Sequence, residues 1–342
     1  MNVTIVPFTE DHLGPAAVLL AARHQNDRVS APALSPRYLE PDATLKVVRK
    51  VLAEEGMEGV AALRDDNVVG FLLGAPAFST PSDAFAGLMR PRSVEIPYAG
   101  HAVAASDAQG VYRALYAALA AQWVARGLTA HYITFPLARD AAETWSDLGF
   151  GRQVELGVRD THAPDSVRAP DLTMSVRRAI PDDAEPIQEL MTDLFRSFAD
   201  PAIFLPFLPE TGAGRNALVP ELLADPGTAT WLAFKDGHLA AMHILMEPTS
   251  PHWFVSPLQT PERSVYLFLA CTTPHIRSSG IGAALLARTM AWARDAGYER
   301  CAAHYMTASR AADFWRGQGF QPVSHWLFRV IDDRVTWANG RN

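Results

Sequence analysis

The chain repeats itself at an interval of about 170 residues, and a duplication on that scale constrains the architecture more than any single motif does. Ala125-Arg126-Gly127 stands about 170 residues before Asp295-Ala296-Gly297, and Asp147-Leu148-Gly149-Phe150 stands the same distance before Gly317-Gln318-Gly319-Phe320. Asp66-Asn67, between two strand-like runs, pairs with Asp236-Gly237 at the same offset, and Ile5 through Asp11 pairs with Val176 through Asp182. Four anchors in register mean two copies of one fold. The expected division is a first copy over residues 1–160, a linker over 161–171 and a second copy over 172–342, because the segment Asp160–Pro170 is charged and carries prolines.

Each copy shows the same order of elements. A short strand (Val3–Val6; Leu172–Val176) precedes an acidic turn and an amphipathic helix (Gly14–Ala22; Glu185–Phe195). After a variable, Pro-rich segment come hairpins, Val60–Arg64 with Val68–Leu73 and Trp231–Phe234 with Leu239–Leu245. A central strand, a long helix, a further strand (His131–Phe135; Cys301–Met306), a shorter helix and a Gly-Phe pair follow. Hairpins first and strand–helix crossovers afterwards predict α/β domains, each with a mixed sheet.

The most informative stretch runs from Val265 to Ala296. The apolar run Val265–Cys271 predicts a strand buried on both faces. Beyond it, Arg277-Ser278-Ser279-Gly280-Ile281-Gly282 opens a helix whose apolar stripe is Ile281, Leu285, Leu286, Met290 and Ala293. The first N–H groups of a helix lack internal partners and its dipole favours an anion there, while glycine lets a bulky ligand approach the backbone. The pattern therefore predicts a phosphate-bearing ligand at this turn.

Composition narrows the function classes. With 49% hydrophobic and 20% charged residues in a chain of 342, two globular domains with sizeable cores are expected. No apolar run reaches the length of a membrane helix, and the opening MNVTIVPFTEDH lacks a basic segment followed by an apolar one, so a cytoplasmic protein without a membrane partner is expected. The net charge of −7 is spread evenly between the halves and forms no basic patch, which argues against nucleic acid and permits a cationic substrate. Cys271 and Cys301 lie in apolar strand-like runs and read as buried thiols. No His-Glu-x-x-His, Cys-x-x-Cys or carboxylate cluster suggests a metal.

The strand, the Arg277–Gly282 loop with Pro274 before it, the helix, and the later stretch AADFWRGQGF from Ala311 to Phe320 together resemble the GNAT superfamily of acyl-CoA-dependent acyltransferases. With the duplication, the whole chain is similar to tandem GNAT proteins. The resemblance implies two tandem GNAT-like α/β domains, each a mixed, mostly antiparallel sheet flanked by helices. It also implies acetyl-CoA as acyl donor, held in a V between the central strand and Cys301–Met306. Pantetheine would pair with backbone at Ala270 and Thr272. The pyrophosphate would lie against Arg277, Ser278, Ser279, Gly280, Ile281, Gly282 and Ala283, with the N–H groups of Ser279 to Ala283 facing it. A backbone N–H beside the thioester would polarise its carbonyl. In the first copy, Asp107 and Tyr112 stand where Arg277 and Gly282 stand in the second, one repelling phosphate and the other filling its space, so that copy is not expected to bind CoA at its loop.

The chemistry is less complete than the cradle. A Tyr of the family's later helix, which protonates the leaving thiolate, is replaced by Trp315, and a nearby Asn position reads Ala308. Indole is not a usable general acid, so acid catalysis must come from elsewhere or from water. The candidates for the base that deprotonates an amine acceptor are His304 and Tyr305, of which strand alternation turns only one toward the cleft; packing is the competing role for both. Cys271 has an acyl-carrying reading beside its packing one. The stretch Ala199–Leu208 stands as either the wall of an acceptor pocket or a loop packed between the copies.

The leading expectation is an N-acyltransferase acting on a small-molecule amine in the second copy. A catalytically weak acyl-CoA-binding or sensing protein is the alternative. A dinucleotide-dependent oxidoreductase is disfavoured, because no third Gly follows Gly282 at Leu285 and no parallel βαβ run precedes the loop.

Overall fold

In a computed structural model of the chain, residues 3–137, 139–165 and 174–338 are described. The expected linker falls mostly outside them, at residues 166–171, as do Leu172 and Thr173 of the expected strand. The first copy runs β1 (Thr4–Pro7), α1 (Leu13–Ser30), α2 (Pro41–Leu52), β2 (Glu58–Arg64), β3 (Asn67–Phe78), β4 (Arg92–Ile96), β5 (His101–Val103), α3 (Ala108–Ala125), β6 (Ala130–Pro136), α4 (Arg139–Asp147) and β7 (Gly151–Asp160). The second runs β8 (Met174–Arg178), α5 (Ala184–Ser197), α6 (Thr211–Ala224), β9 (Thr228–Lys235), β10 (His238–Met246), β11 (Ser264–Thr272), α7 (Ile281–Asp295), β12 (Arg300–Met306), α8 (Arg310–Gly317), β13 (Gln321–Val330) and α9 (Val335–Ala338).

Hairpins form where the sequence can turn. Asp236 and Gly237 both take positive φ between β9 and β10, and Asp65 and Asp66 do so between β2 and β3. The apolar stripe of α7 is buried as its spacing predicts: Leu285, Leu286, Met290 and Ala293 have no exposed surface and pack with Ala233, Leu245, Val265 and Cys301 on one face of the sheet. The same face of the first copy is filled by Val111, Leu115, Leu119 and Trp123 of α3.

The last strand of each copy lies beyond the Gly-Phe pair, and the copies exchange these strands. β7 pairs antiparallel with β12 of the second copy, from Asp160↔Arg300 to Val154↔Met306. β13 pairs antiparallel with β6 of the first, from Val330↔Ala130 to Ser324↔Pro136. β7 and β13 then pair with each other. The described strands consequently join in one mostly antiparallel sheet, ordered β1-β2-β3-β4-β6-β13-β7-β12-β11-β10-β9-β8, with β5 paired to β3. Helices cover both faces. Among the described strand pairs only β4–β6 and β11–β12 are parallel, each bridged by its long helix.

Two side-chain ties reinforce the exchange. Glu155 on β7 accepts hydrogen bonds from the Tyr305 hydroxyl on β12 (2.5 Å) and from Nη2 of Arg316 on α8 (2.7 Å). Burial would raise its pKa, but the Arg316 and Tyr305 hydrogen bonds outweigh that and hold it below the ordinary value. Gly157 is required beside this pair, since a Cβ there would meet the Tyr305 hydroxyl at 2.8 Å.

Two outcomes are expected. First, a chain opened between residues 165 and 174 yields halves that co-purify when co-expressed, whereas residues 1–165 alone lack the partners of β7 and do not give a cooperative unfolding transition. A cooperatively folded, monomeric 1–165 fragment would contradict the exchange. Second, burial drives the pKa of His131 and His325 down to about 4 and that of His243 to about 3, each from 6.5. The unfolded chain then binds the extra protons, so their contribution is complete above about pH 6.5 and is lost as the pH falls toward 4, at about 1–2 kcal/mol per histidine by pH 5. Denaturant melts from pH 7 to 4.5 should show a steady fall in midpoint.

Candidate active site

The cleft begins where β11 and β12 part. Their parallel pairing runs from Ser264↔Arg300 to Leu267↔Ala303 and stops there. The cause is a bulge: β10 pairs Leu245 with Leu267 and Ile244 with Leu269, leaving Phe268 as the extra residue that bends β11 away. β11 stays bonded to β10 on its other edge, with the Thr273 N–H on the Ala240 carbonyl at 2.9 Å. Backbone groups alternate in direction along a strand, so those of Ala270 and Thr272 face the open edge. The Thr272 carbonyl there accepts from Nε of Arg277 at 3.2 Å.

The loop after β11 is shaped by two residues with positive φ, Ser278 at 66° and Gly280 at 92°. Gly280 is the N-cap of α7, and the first helical bond runs from the Ala284 N–H to its carbonyl at 3.0 Å. The helix geometry therefore leaves the N–H groups of Ile281, Gly282 and Ala283 to an outside acceptor. The Ser279 N–H differs from its expected role: it turns back to the Ile276 carbonyl at 3.3 Å. Gly282 stands close to the strand: a Cβ there would lie 3.2 Å from Thr272 Oγ1, so that side chain would have to give by a few tenths of an ångström. Arg277, Ser278 and Ser279 are exposed at the rim.

The first copy has the same frame with its slot filled. α3 and α7 end in register, but α3 has 18 residues against 15, so Ala108, Gln109 and Gly110 are helical where Ser278, Ser279 and Gly280 form the loop. Asp107 pairs with Arg64 at 3.3 Å. Tyr112 is buried, its hydroxyl donating to Nδ1 of His101 at 3.0 Å, while His101 Nε2 donates to the Thr134 carbonyl across the gap between β5 and β6. The imidazole stacks on Phe135 at 5.1 Å, and Arg23 Nη1 donates to the His101 carbonyl at 2.5 Å. A thioester arm would have to displace all of these.

A cavity of about 1860 Å³ opens from the second copy's loop and runs along the sheet toward the first copy. Strand alternation divides the expected catalytic pair. His304 faces the side of Tyr266 and Phe254: Nδ1 lies 2.8 Å from the Tyr266 hydroxyl, and the ring is parallel to Phe254 at 6.1 Å. Burial pushes its pKa down to about 4, so the imidazole is neutral at physiological pH. Tyr305 faces the α7 side, its hydroxyl engaged by Glu155, and burial followed by that carboxylate raises its pKa. Cys271 is buried and its thiol is pushed up to about 12, which removes the thiolate an acyl carrier needs. Trp315 is buried against Phe320 at 5.2 Å, and Ala308 is exposed at the mouth.

Other residues of the cavity escaped the sequence reading. Tyr266, Phe254 and Phe268 form an aromatic wall beside His304. Glu54 and Glu95 of the first copy enter the same cavity, and burial raises the pKa of both. The available signal was the repeat itself: Ser93-Val94-Glu95-Ile96 and Ser264-Val265-Tyr266-Leu267 occupy matching positions before their clefts. The Ala199–Leu208 stretch divides. Asp200, Pro201 and Ile203 line the cavity, whereas Leu205 to Leu208 surround a small hollow with Ala84, Gly87 and Leu88 of the first copy.

Among the described residues no group of three or more His, Cys, Asp or Glu is placed to hold a metal, and no helix is long and apolar enough to cross a membrane.

Residues 188–320 match the sequence model of the Acetyltransferase (GNAT) family. No significant match is found among curated proteins. Among solved structures, a GCN5-related N-acetyltransferase from Sphaerobacter thermophilus is similar over 96% of this chain and 95% of its own, at 14% identity and a TM-score of 0.58. A tandem GNAT protein from the clavulanic acid biosynthesis pathway is similar over 97% and 99%, at 15% identity and a TM-score of 0.52. A GCN5-related glucosamine N-acetyltransferase region of a fungal multi-domain β-N-acetylglucosaminidase gives 13% identity and a TM-score of 0.60, over 96% of this chain and 38% of that one. At such identities the likeness is one of fold, and it extends through both copies. The family's sequence pattern thus lies within the second copy, at residues 188–320, and the likeness to tandem GNAT structures across nearly the whole chain is one of fold.

Proposed function

We propose that the protein transfers an acyl group, acetyl in the simplest case, from acyl-CoA to a small-molecule amine, and that the chemistry takes place in the second copy. The observation that carries this reading is the contrast between the two slots. Where β11 and β12 part, the backbone edge at Ala270 and Thr272 is open and the amides of Ile281, Gly282 and Ala283 head a helix; the matching slot of the first copy is plugged by Tyr112 and His101. Pantetheine would add as a strand along Ala270–Thr272. The pyrophosphate would sit on the amides at the start of α7, with Ser278, Ser279 and Gly280 shaping the turn and Arg277 supplying a positive charge at the rim. No resident metal enters this reading.

The acceptor would occupy the cavity beyond the thioester, with its apolar part on Phe254 and Phe268. Glu54 and Glu95, on the far wall, favour a cation over an anion there. Alignment of amine and thioester supplies most of the acceleration, and a thiolate with an ordinary pKa near 8.5–9 leaves without an obligatory acid, consistent with Trp315 in place of a tyrosine. Of the expected pair, this reading gives His304, on the side of Tyr266 and Phe254, the contact with the acceptor, and it assigns Tyr305 to holding Glu155.

The buried indole of Trp315 also favours a second reading, a weakly catalytic acyl-CoA sensor. Thiol release across a panel of amines separates the two: turnover supports the enzyme, and a thermal shift with acetyl-CoA without turnover supports the sensor.

Calorimetry should find one equivalent of acetyl-CoA, weakened about tenfold in Arg277→Ala by loss of a charged contact and abolished in Gly282→Tyr; a second equivalent would place a donor in the first copy and refute the assignment. Because the Cys271 thiol is pushed up to about 12, Cys271→Ala should keep wild-type turnover with sequential kinetics, and a ping-pong pattern lost in that variant would reverse the conclusion.

A further inference from the structure

The contact between Tyr266 and His304 sets which hydrogen-bonding face His304 offers the acceptor. Tyr266 is almost wholly buried, on β11 just before the point where β12 leaves it. The hydrogen-bond partner of its hydroxyl among the described residues is Nδ1 of His304, at 2.8 Å. Burial raises the pKa of this phenol, so it keeps its proton. A buried hydroxyl that accepted from Nδ1–H would leave its own proton without a partner, which costs about 1–3 kcal/mol. The favoured arrangement has Tyr266 donating to Nδ1. A neutral imidazole that accepts at Nδ1 carries its proton on Nε2. Phe254 lies parallel to the ring, at an interplanar angle of 9° and a centroid distance of 6.1 Å. His304 then offers the cavity an N–H donor, not a lone pair.

We propose that Tyr266 is a positioning residue that holds His304 in the Nε2–H form, and that His304 donates a hydrogen bond to an oxygen of the acceptor instead of deprotonating its amine. The acceptor class that follows is an amine bearing a neutral hydrogen-bond-accepting oxygen, a hydroxyl, ether or amide carbonyl, near the reacting nitrogen. A carboxylate is disfavoured by Glu54 and Glu95 in the same cavity. No proton leaves His304 in this role; the ammonium form of the acceptor loses its proton to water before attack. The assignment of the acceptor rests on the acyl-transfer reading, but the tautomer does not.

Two measurements test the proposal separately. Long-range proton–nitrogen NMR of the imidazoles, with the His304 signal identified by its loss in His304→Gln, should show the Nε2–H form in the wild type and a mixture of forms in Tyr266→Phe. An Nδ1–H form in the wild type would overturn the proposal whether or not the protein turns over. With an accepted amine in hand, His304→Gln keeps an N–H donor and should retain kcat within a few-fold. His304→Leu should raise the acceptor KM about tenfold, the loss of one hydrogen bond, while acetyl-CoA affinity by calorimetry stays unchanged. Equal loss of kcat in the Gln and Leu variants would show that His304 is a base and overturn the donor role. Absence of turnover in the wild type with every acyl-CoA would instead remove the acyl-transfer reading and leave the NMR result to decide the tautomer.

Discussion

The parting of β11 and β12 after Leu267 and Ala303 is the constraint on which the rest of the cleft depends. Two adjacent parallel strands do not separate without cost, because each leaves backbone groups unpaired. Here both strands stay paired on their other edges. β11 remains on β10, and β12 is paired along its whole length by β7, which comes from the first copy. The open edge at Ala270–Thr272 is thus presented by a strand already anchored, and a ligand that adds there completes a sheet instead of disrupting one. The exchanged strand also brings Glu155 under Tyr305 and Arg316, which ties the wall of the cleft to the centre of the molecule.

The two copies show how little separates an open slot from a closed one. Both have a bent central strand, a parallel neighbour and a long helix between them. In the first, Pro97 and the turn after it divide the central strand into β4 and β5, the helix gains nearly a turn at its start, and a tyrosine stands at the position of a glycine. Each change fills with protein a space that is open in the second copy. The filled slot is packed by a buried group in which Tyr98 donates to Asp27, Tyr112 to His101 and Arg23 to the His101 carbonyl, while Arg23 Nε and Nη2 and Asp27 Oδ1 have no hydrogen-bond partner.

Sequence periodicity and the repeat were sufficient for most of the frame. The stripe of α7, the hairpins and the positions of β6 and β12 agree with the apolar spacing, because they are set by burial on one face. The exchanged strands were not legible. β7 and β13 lie beyond the Gly-Phe pair, and nothing local in Val154, Leu156 and Val158, or in Val323 and Leu327, says which copy's edge they complete; pairing partners are a property of the whole sheet. The loop at the start of α7 was readable because glycine and helix initiation are local signals. The aromatic wall was not, since Tyr266 and Phe268 lie within an apolar run that looks uniformly buried, and Phe254 comes from a segment with no periodicity.

Retention of a copy with a closed slot follows from the strand exchange. A point change that fills the first slot leaves every strand pair in place. A change that removed the first copy would strip β12 of β7 and β13 of β6, and would take Glu155 from beneath Tyr305. The first copy also lines the cavity with Glu54, Glu95 and Tyr98. Its slot is therefore free to degenerate while its sheet is not, and the asymmetry between two similar halves is what such a topology permits.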